Sequence, residues 1–480
     1  MSKQRNFSKE RKDLQKQGLA PTWMTTMGWQ LFSQKYLNGD CKNPHDQYKR
    51  ISTTLAKYAP KEFPDFWDKV DYWKGKTWEE AFFSVLWDGY ISASTPLLTN
   101  TGTDFGMSVS CSGAYVGDSV EEFYETRKGN ALLTKEGFGT SVYLGDIRSR
   151  GSKMKNGEAT GAQPVAEMFV DDSLKISQGS ARRGASAWYY PIDGGDFDEL
   201  VHYLETHTDG NNAGWCLTDE YREKLLSGDK EAVKRWGQML SCKGNVGSGY
   251  QFFKSKANRK TPKMYKDKGL EVKASQLCSE ITLFSDEENT YTCVLSSENL
   301  RNWDNRPDML AFVGTVLLDC VAEDFIVKAK TKAGLERAIK FTEENRALGY
   351  GAMAFHTYLL DHNIVWGSLE SKFINELMFS IIKKEAVQAT EWLAKVLGEP
   401  EMCKGYGVRN THLSNTPFQI TYCFKAFPSI QVLYFSPTIP TPNTVGAFLS
   451  FTAPFITLLI LAVVTNLVFV NSITTFLLSL

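Results

Sequence analysis

The chain has 480 residues, with 54 Lys plus Arg against 55 Asp plus Glu. That length accommodates two to four domains or one large α/β barrel, and so even a charge balance excludes a protein whose main work is coating nucleic acid. Charged residues at 23% and aromatics at 13% also exclude a disordered chain.

The first twenty residues are polar, lack an apolar h-region and read as a charged, frayed end. From Trp23 to Tyr48 the pattern opening with "WMTTMGWQLFSQKYL" is helical and amphipathic. In "KTWEEAFFSVLWDGYIS" Thr77 precedes Glu80 by the spacing of a capping box, and an apolar face follows. Ser119 and Glu122 repeat that arrangement in "GDSVEEFYETRKGNALLTKEG". "GFGTSVYLGDIRSRGS" reads as a strand bounded by glycines and then a basic turn. Two long helices are expected, over "RPDMLAFVGTVLLDCVAEDFIVKAK" and over "GSLESKFINELMFSIIKKEAVQATEWLAKVLG", the second stopping at Gly398. "EITLF", "YTCVL" and "LGYGAMAF" read as short strands. Helices alternating with short buried strands predict an α/β architecture.

Nine cysteines without C-x-x-C, and six scattered histidines, predict reduced cytosolic thiols and no structural zinc. After Lys425 there is no Asp, Glu, Lys, Arg or His, and "FITLLILAVVTNLVFVNSITTFLLSL" is long enough to cross a bilayer. No basic residue or aromatic belt flanks it.

Cys278 stands two residues before Glu280 in "KASQLCSEITLF", and Cys293 follows in "NTYTCVLSSENL". If the segment is extended, Cys278 and Glu280 share a face. Free cysteine is often only a buried small apolar side chain. A neighbouring carboxylate does not favour a thiolate nucleophile, which wants a histidine or a cation. It suits radical chemistry, in which a thiyl takes a hydrogen atom, the carboxylate acts as base on the adjacent hydroxyl, and a dithiol supplies two electrons.

"SQLCSEI" followed by "CVLSSENL" resembles the catalytic large subunit of class I ribonucleotide reductase. So, in the same order, do "STPLLTNTGTDFGMSVSCSGAYVGDSVEEF", "GFGTSVYLGDIRSRGSKMKNGEATG", "SQGSARRGASAWYYPIDGGDFDEL" and "RALGYGAMAFHTYL", together covering roughly Trp23 to His412. The resemblance implies a ribonucleotide-reductase-type α/β barrel behind a helical N-terminal region, with the barrel incomplete at its C-terminal end. It divides the chain into a helical region over 1–90 without an ATP cone, a barrel portion with an effector site over 91–425, and an uncharged apolar tail over 426–480. It implies reduction of ribonucleoside diphosphates, with Cys278 as the thiyl radical, Glu280 as base on the 3′-hydroxyl, and Cys111 with Cys293 as the dithiol that becomes a disulfide. Gln276 stands where the family has Asn, keeping the amide on a longer arm. Thr95, Ser110 and Gly137 match substrate-holding positions. Asp118, Ser119, Val120, Arg148 and Lys155 match a site for a deoxynucleoside triphosphate or ATP at a dimer interface, and "ETHTDGNNAGWCLTDE" matches a flexible loop relaying effector identity.

No covalent cofactor is implied. The radical would come from a metal-containing small subunit, and thioredoxin or glutaredoxin would restore the dithiol. Cys41, Cys242, Cys320 and Cys403 carry no implied role, and neither does Cys216. "GVRNTHLSNTP" begins like the family's Arg-Asn-[Ser/Thr]-His-Leu strand, but the phosphate loop, tyrosine pair and terminal cysteine pair do not follow. The expectation is a large subunit split over two polypeptides, the second supplying those parts. The chain is expected to be cytoplasmic and its tail a docking segment or remnant rather than a membrane anchor over 451–480. An adenosylcobalamin-dependent reductase and a non-catalytic nucleotide-binding or dimerising chain are the alternatives.

Overall fold

A computed structural model describes residues 5–178, 183–277 and 279–413. The capping-box reading of Thr77 and Glu80 holds. Thr77 Oγ1 accepts from Glu80 N, and the Glu80 carboxylate returns a bond to Thr77 N at 2.8 Å, starting the helix Trp78–Trp87. Ser119 likewise caps the helix Val120–Lys135, but the Glu122 side chain turns to Arg337, 3.1 Å away, so only half of that box forms. The single helical stretch expected over Trp23–Tyr48 is three pieces. A helix Thr26–Leu31 runs into a π-helical stretch Phe32–Tyr36, the helix ends at an extended Leu37, and Pro44 at the first turn opens a new helix Pro44–Ala56.

These helices pack on the helix Leu310–Ala329, which is buried on nearly every side and so carries almost no polar face. Its first turn is capped from outside. Glu385, on the helix Leu369–Leu397, accepts from Met309 N and Ala311 N and also pairs with Arg306.

The strands are β1 (Ile91–Ala93), β2 (Cys111–Tyr115), β3 (Thr140–Tyr143), a two-residue-strand hairpin β4 (Lys153–Met154) and β5 (Gly157–Glu158), then β6 (Ser186–Pro191), β7 (Asn211–Leu217), β8 (Tyr250–Phe253), β9 (Tyr291–Asn299) and β10 (Leu348–Met353). The main sheet runs β1-β9-β2-β3-β6-β7-β8, with β10 also on β9. From β2 through β8 neighbouring strands are parallel, each pair joined through helices, as parallel pairing requires. β9 runs against β1 and β2 but parallel to β10. The sheet curls into a half-barrel. Val142, Trp188, Tyr190 and Trp215 face the helices outside, whereas Tyr143, Ala187, Tyr189 and Cys216 face inward.

"YTCVL" and "LGYGAM" are strands, as expected, within β9 and β10. "EITLF" is not. It belongs to an irregular segment whose apolar residues fill the inside of the half-barrel, so its alternation reflects burial rather than a ladder. Residues 211–217, expected in a flexible relay loop, are strand β7, hydrogen-bonded on both sides by β6 and β8. Among the described residues no helix is long and apolar enough to cross a membrane, and the apolar tail lies outside them.

Candidate active site

β2 and β9 set the centre of the site. Their antiparallel register puts Cys111 directly opposite Cys293. Residues so opposed have Cα atoms about 4.5–5.5 Å apart, within the span of about 4.4–6.8 Å that a disulfide bridges. Both side chains are buried thiols on the inner face.

The segment 271–284 crosses that inner face without joining a ladder. Val272 and Ala274 pack on Tyr143, Tyr189 and Cys216, and Ile281, Leu283 and Phe284 pack with Cys111, Tyr291 and Cys293. Between these anchors the chain turns. Ser279 N donates to Gln276 O at 2.9 Å, and Ser279 adopts φ 63°, in the left-handed region. The reading that places Cys278 and Glu280 on one face falls on Cys278, which lies outside the described residues, and of that stretch only the left-handed Ser279 and the Gln276–Ser279 turn are described.

Burial pushes the Glu280 carboxyl up to about 7, and a hydrogen bond from its own backbone N–H and then the nearby Gln276 side chain pull it partly back. Glu280 Oε2, both amide atoms of Gln276 and the Ser110 hydroxyl are buried without a hydrogen-bond partner. Such atoms occur elsewhere in the chain too, but these four lie around the two thiols, where a polar ligand can pair with them. Ser110 immediately precedes Cys111, and its carbonyl accepts from Gly139 N at 2.8 Å. Gly137 has φ 100°, and a Cβ there would lie 2.4 Å from Gln178 Oε1, so glycine is required. Thr95 is exposed and begins the short helix Thr95–Asn100, which is tied to the loop before Ser110 by Asn100 Nδ2 donating to Met107 O.

The five effector-site residues fall elsewhere, just past the C-terminal ends of β2 and β3 and on the β4–β5 hairpin. Asp118, Ser119 and Val120 start the helix Val120–Lys135, and Arg148 Nε donates to Asp118 Oδ2 at 2.5 Å. Lys155 is exposed in the turn between β4 and β5, and no contact joins it to Asp118. Cys320, Cys242 and Cys403 are buried, and Cys41 is partly buried beside Arg50. Cys216 faces inward with its thiol 3.5 Å from Lys273 O.

Sequence reasoning did not anticipate Ser141, Tyr189, Ser275 or Tyr291, four buried hydroxyl residues around the turn. Tyr291 is two residues before Cys293 and therefore on its face, a signal that strand periodicity alone contains. The others come together only through sheet register.

A family model described as "Ribonucleotide reductase, all-alpha domain" matches residues 22–106, and one described as "Ribonucleotide reductase, barrel domain" matches 109–228 and 217–429. The chain is 31% identical over 350 residues to a putative ribonucleoside-diphosphate reductase large subunit of frog virus 3, covering 68% of this chain and 60% of that one. It is 27% identical over 328 residues to a vitamin B12-dependent ribonucleoside-diphosphate reductase of Thermoplasma acidophilum, covering 64% of this chain and 42% of the other. Among solved structures, the Actinobacillus ureae class Id ribonucleotide reductase alpha subunit matches with a TM-score of 0.74 and 32% identity, over 82% of this chain and 72% of that one.

Proposed function

The chain belongs to the ribonucleotide reductase large-subunit family, and from that premise we propose that it carries the thiyl and dithiol part of a ribonucleoside-diphosphate reductase active site. The observation that carries the proposal is the register of Cys111 against Cys293, with the Glu280 turn packed over the same inner face. A Cys278 thiyl would take the 3′-hydrogen atom of the ribose, and Glu280 would take the 3′-hydroxyl proton. The 2′-hydroxyl leaves as water. Cys111 and Cys293 give up two electrons and two protons and become a disulfide, one proton leaving with the 2′-hydroxyl as water and the other going to C2′, while Glu280 returns its proton to the 3′-oxygen and Cys278 returns a hydrogen atom to C3′. A carboxyl titrating near 7 is matched to base catalysis at neutral pH. Ser110, Gln276 and Gly137 line the nucleotide's approach, Ser110 and Gln276 offering buried polar atoms.

The radical initiator is a metal-containing small subunit, and thioredoxin or glutaredoxin reduces the disulfide. The vitamin B12-dependent relative supports adenosylcobalamin as the second reading for the initiator. A deoxynucleoside triphosphate or ATP binds near Asp118, Ser119, Val120, Arg148 and Lys155. Val120 and Tyr124 are 62% and 59% exposed on one helix face, with Leu174 exposed on the neighbouring helix, which supports a homodimer through that pair. The chain spans 60% of the frog virus relative and 32% of the large subunit of invertebrate iridescent virus 3. A second polypeptide supplies the diphosphate loop and radical-transfer tyrosines.

The test is CDP reduction with dithiothreitol and a small subunit, by this chain alone and after co-expression with a polypeptide carrying those parts. Activity only in the mixture is the expected result. Activity alone overturns the split. Inactivity in both moves the chain to a non-catalytic nucleotide-binding role.

A further inference from the structure

Because the described residues of 271–284 join no ladder, side chains hold much of their backbone: Asn258 pairs with Val272 in both directions, the Cys216 thiol reaches Lys273 O, and hydroxyls hold the turn that follows. Tyr291 sits opposite Gly113 in the β2–β9 register, on the face of the two thiols. A Cβ at Gly113 would lie 2.1 Å from the Tyr291 ring, so the ring occupies the space that a side chain there would need. The Tyr291 hydroxyl is 3.4 Å from Ser141 Oγ, and Ser141 Oγ donates to Ser275 O at 3.0 Å. With its one proton committed, the serine accepts from the tyrosine. Ser275 Oγ donates in turn to Ile281 O at 2.6 Å, closing the loop that contains Gln276 and Glu280. From the other flank Tyr189 donates to Gln276 O at 2.6 Å, its ring fitting against Gly214, where a Cβ would again lie 2.1 Å away. Burial pushes the Tyr291 phenol well above its ordinary pKa, the Ser141 hydrogen bond pulls it partly back and the neighbouring Cys111, Cys293 and Glu280 raise it further, so it remains a donor.

We infer that Tyr291, acting through Ser141, is a positioning residue for the proposed reaction: it ties the strand bearing one reductant thiol to the turn bearing Gln276 and the base. The inference rests on the reductase reading for its chemical consequence and on these bonds for its geometry. Without the phenol hydroxyl, Ser141 is free to swing to its other acceptor, Ser112 O at 3.4 Å, and the turn loses a brace. The braces hold main-chain carbonyls only. They leave the Gln276 amide and Glu280 Oε2 for a ligand.

Tyr291→Phe keeps the ring over Gly113 and removes only the hydroxyl, so the fold is retained. In the full chain, amide hydrogen exchange across 273–284 should quicken about tenfold while that of β3 and β6 is unchanged. In the complemented enzyme, kcat should fall about tenfold with KM for the nucleotide unchanged, because a misplaced turn costs rate rather than uniform binding. Ser141→Ala should reproduce both effects, and the double variant should add little. Wild-type exchange or wild-type kcat in Tyr291→Phe, beside an active wild type, overturns the inference and leaves the reductase reading intact. Faster exchange in a chain whose wild type reduces no nucleotide under full complementation leaves the brace standing and overturns the reductase reading.

Discussion

At Glu280 a single carboxyl shows how burial sets chemistry. Removed from water and left with one oxygen unpartnered, it holds its proton up to about pH 7 instead of 4.5. As the proposed base it works ionised, so reduction should rise with pH through about 7, and Glu280→Gln should abolish it. Stability runs the other way. Below the ordinary carboxylate pKa both folded and unfolded chains are protonated. Between about 4.5 and 7 the unfolded chain ionises first, and the native state loses up to about 3 kcal/mol. Denaturant melts from pH 4 to 8 should therefore show Glu280→Gln gaining on the wild type across that window and level with it at the acid end. The thiols separate by role. Cys278→Ser should abolish reduction while effector nucleotide still binds, and Cys111→Ser or Cys293→Ser should block turnover. Any turnover by Cys278→Ser, measured as dCDP formed, would overturn its assignment.

Among elements, the contrast between Thr77 and Ser119 is instructive. Both begin a polar cap followed three residues later by glutamate, and only the first forms the reciprocal box. Glu122 finds Arg337 from a distant helix instead. Thr77→Ala should cost about 1 kcal/mol, read as a lowered denaturation midpoint with an unchanged slope. The same tertiary override explains the misread strand. "EITLF" has apolar residues at the right intervals, but its backbone passes inside the curled sheet and pairs with no strand, Ile281 O accepting instead from Ser275 Oγ. Conversely "NNAGWCL", expected from the resemblance in a flexible loop, is a strand paired on both sides. Gly214 is small because the Tyr189 ring needs its space, not because the chain bends there.

For the molecule as a whole, buried charge joins its parts. Asp319 on the helix Leu310–Ala329 accepts from Arg346, which leads into β10, at 2.8 Å, and from Arg409 and Asn410 at 3.0 and 2.9 Å. Burial alone would raise this carboxyl, but the two guanidinium groups hold it down to about 2. A depressed carboxyl contributes stability above its unfolded pKa and loses it as pH falls towards 2. Leu348 N and Tyr350 N donate to the carbonyls of His412 and Leu413, so the network clamps the last described residues beside β10. Arg346→Met leaves Asp319 less compensated and should cost about 3–5 kcal/mol at pH 7 by chemical denaturation. A cost below 1 kcal/mol would show that the network does not hold the two regions together.

The sequence by itself determined the class of fold, the family, the long buried helices and the residue types of the candidate chemistry, because helix caps, apolar periodicity and ordered motifs are local properties of the chain. It also placed Cys111 and Cys293 as a pair, but only through resemblance. That they oppose each other is a matter of register between strands 182 positions apart. Tertiary structure alone decided that Glu280 titrates near neutrality, that its segment is a braced turn, and that Tyr189, Ser141 and Tyr291 hold it. Desolvation and hydrogen bonding depend on which distant groups share a site, and no local pattern records that.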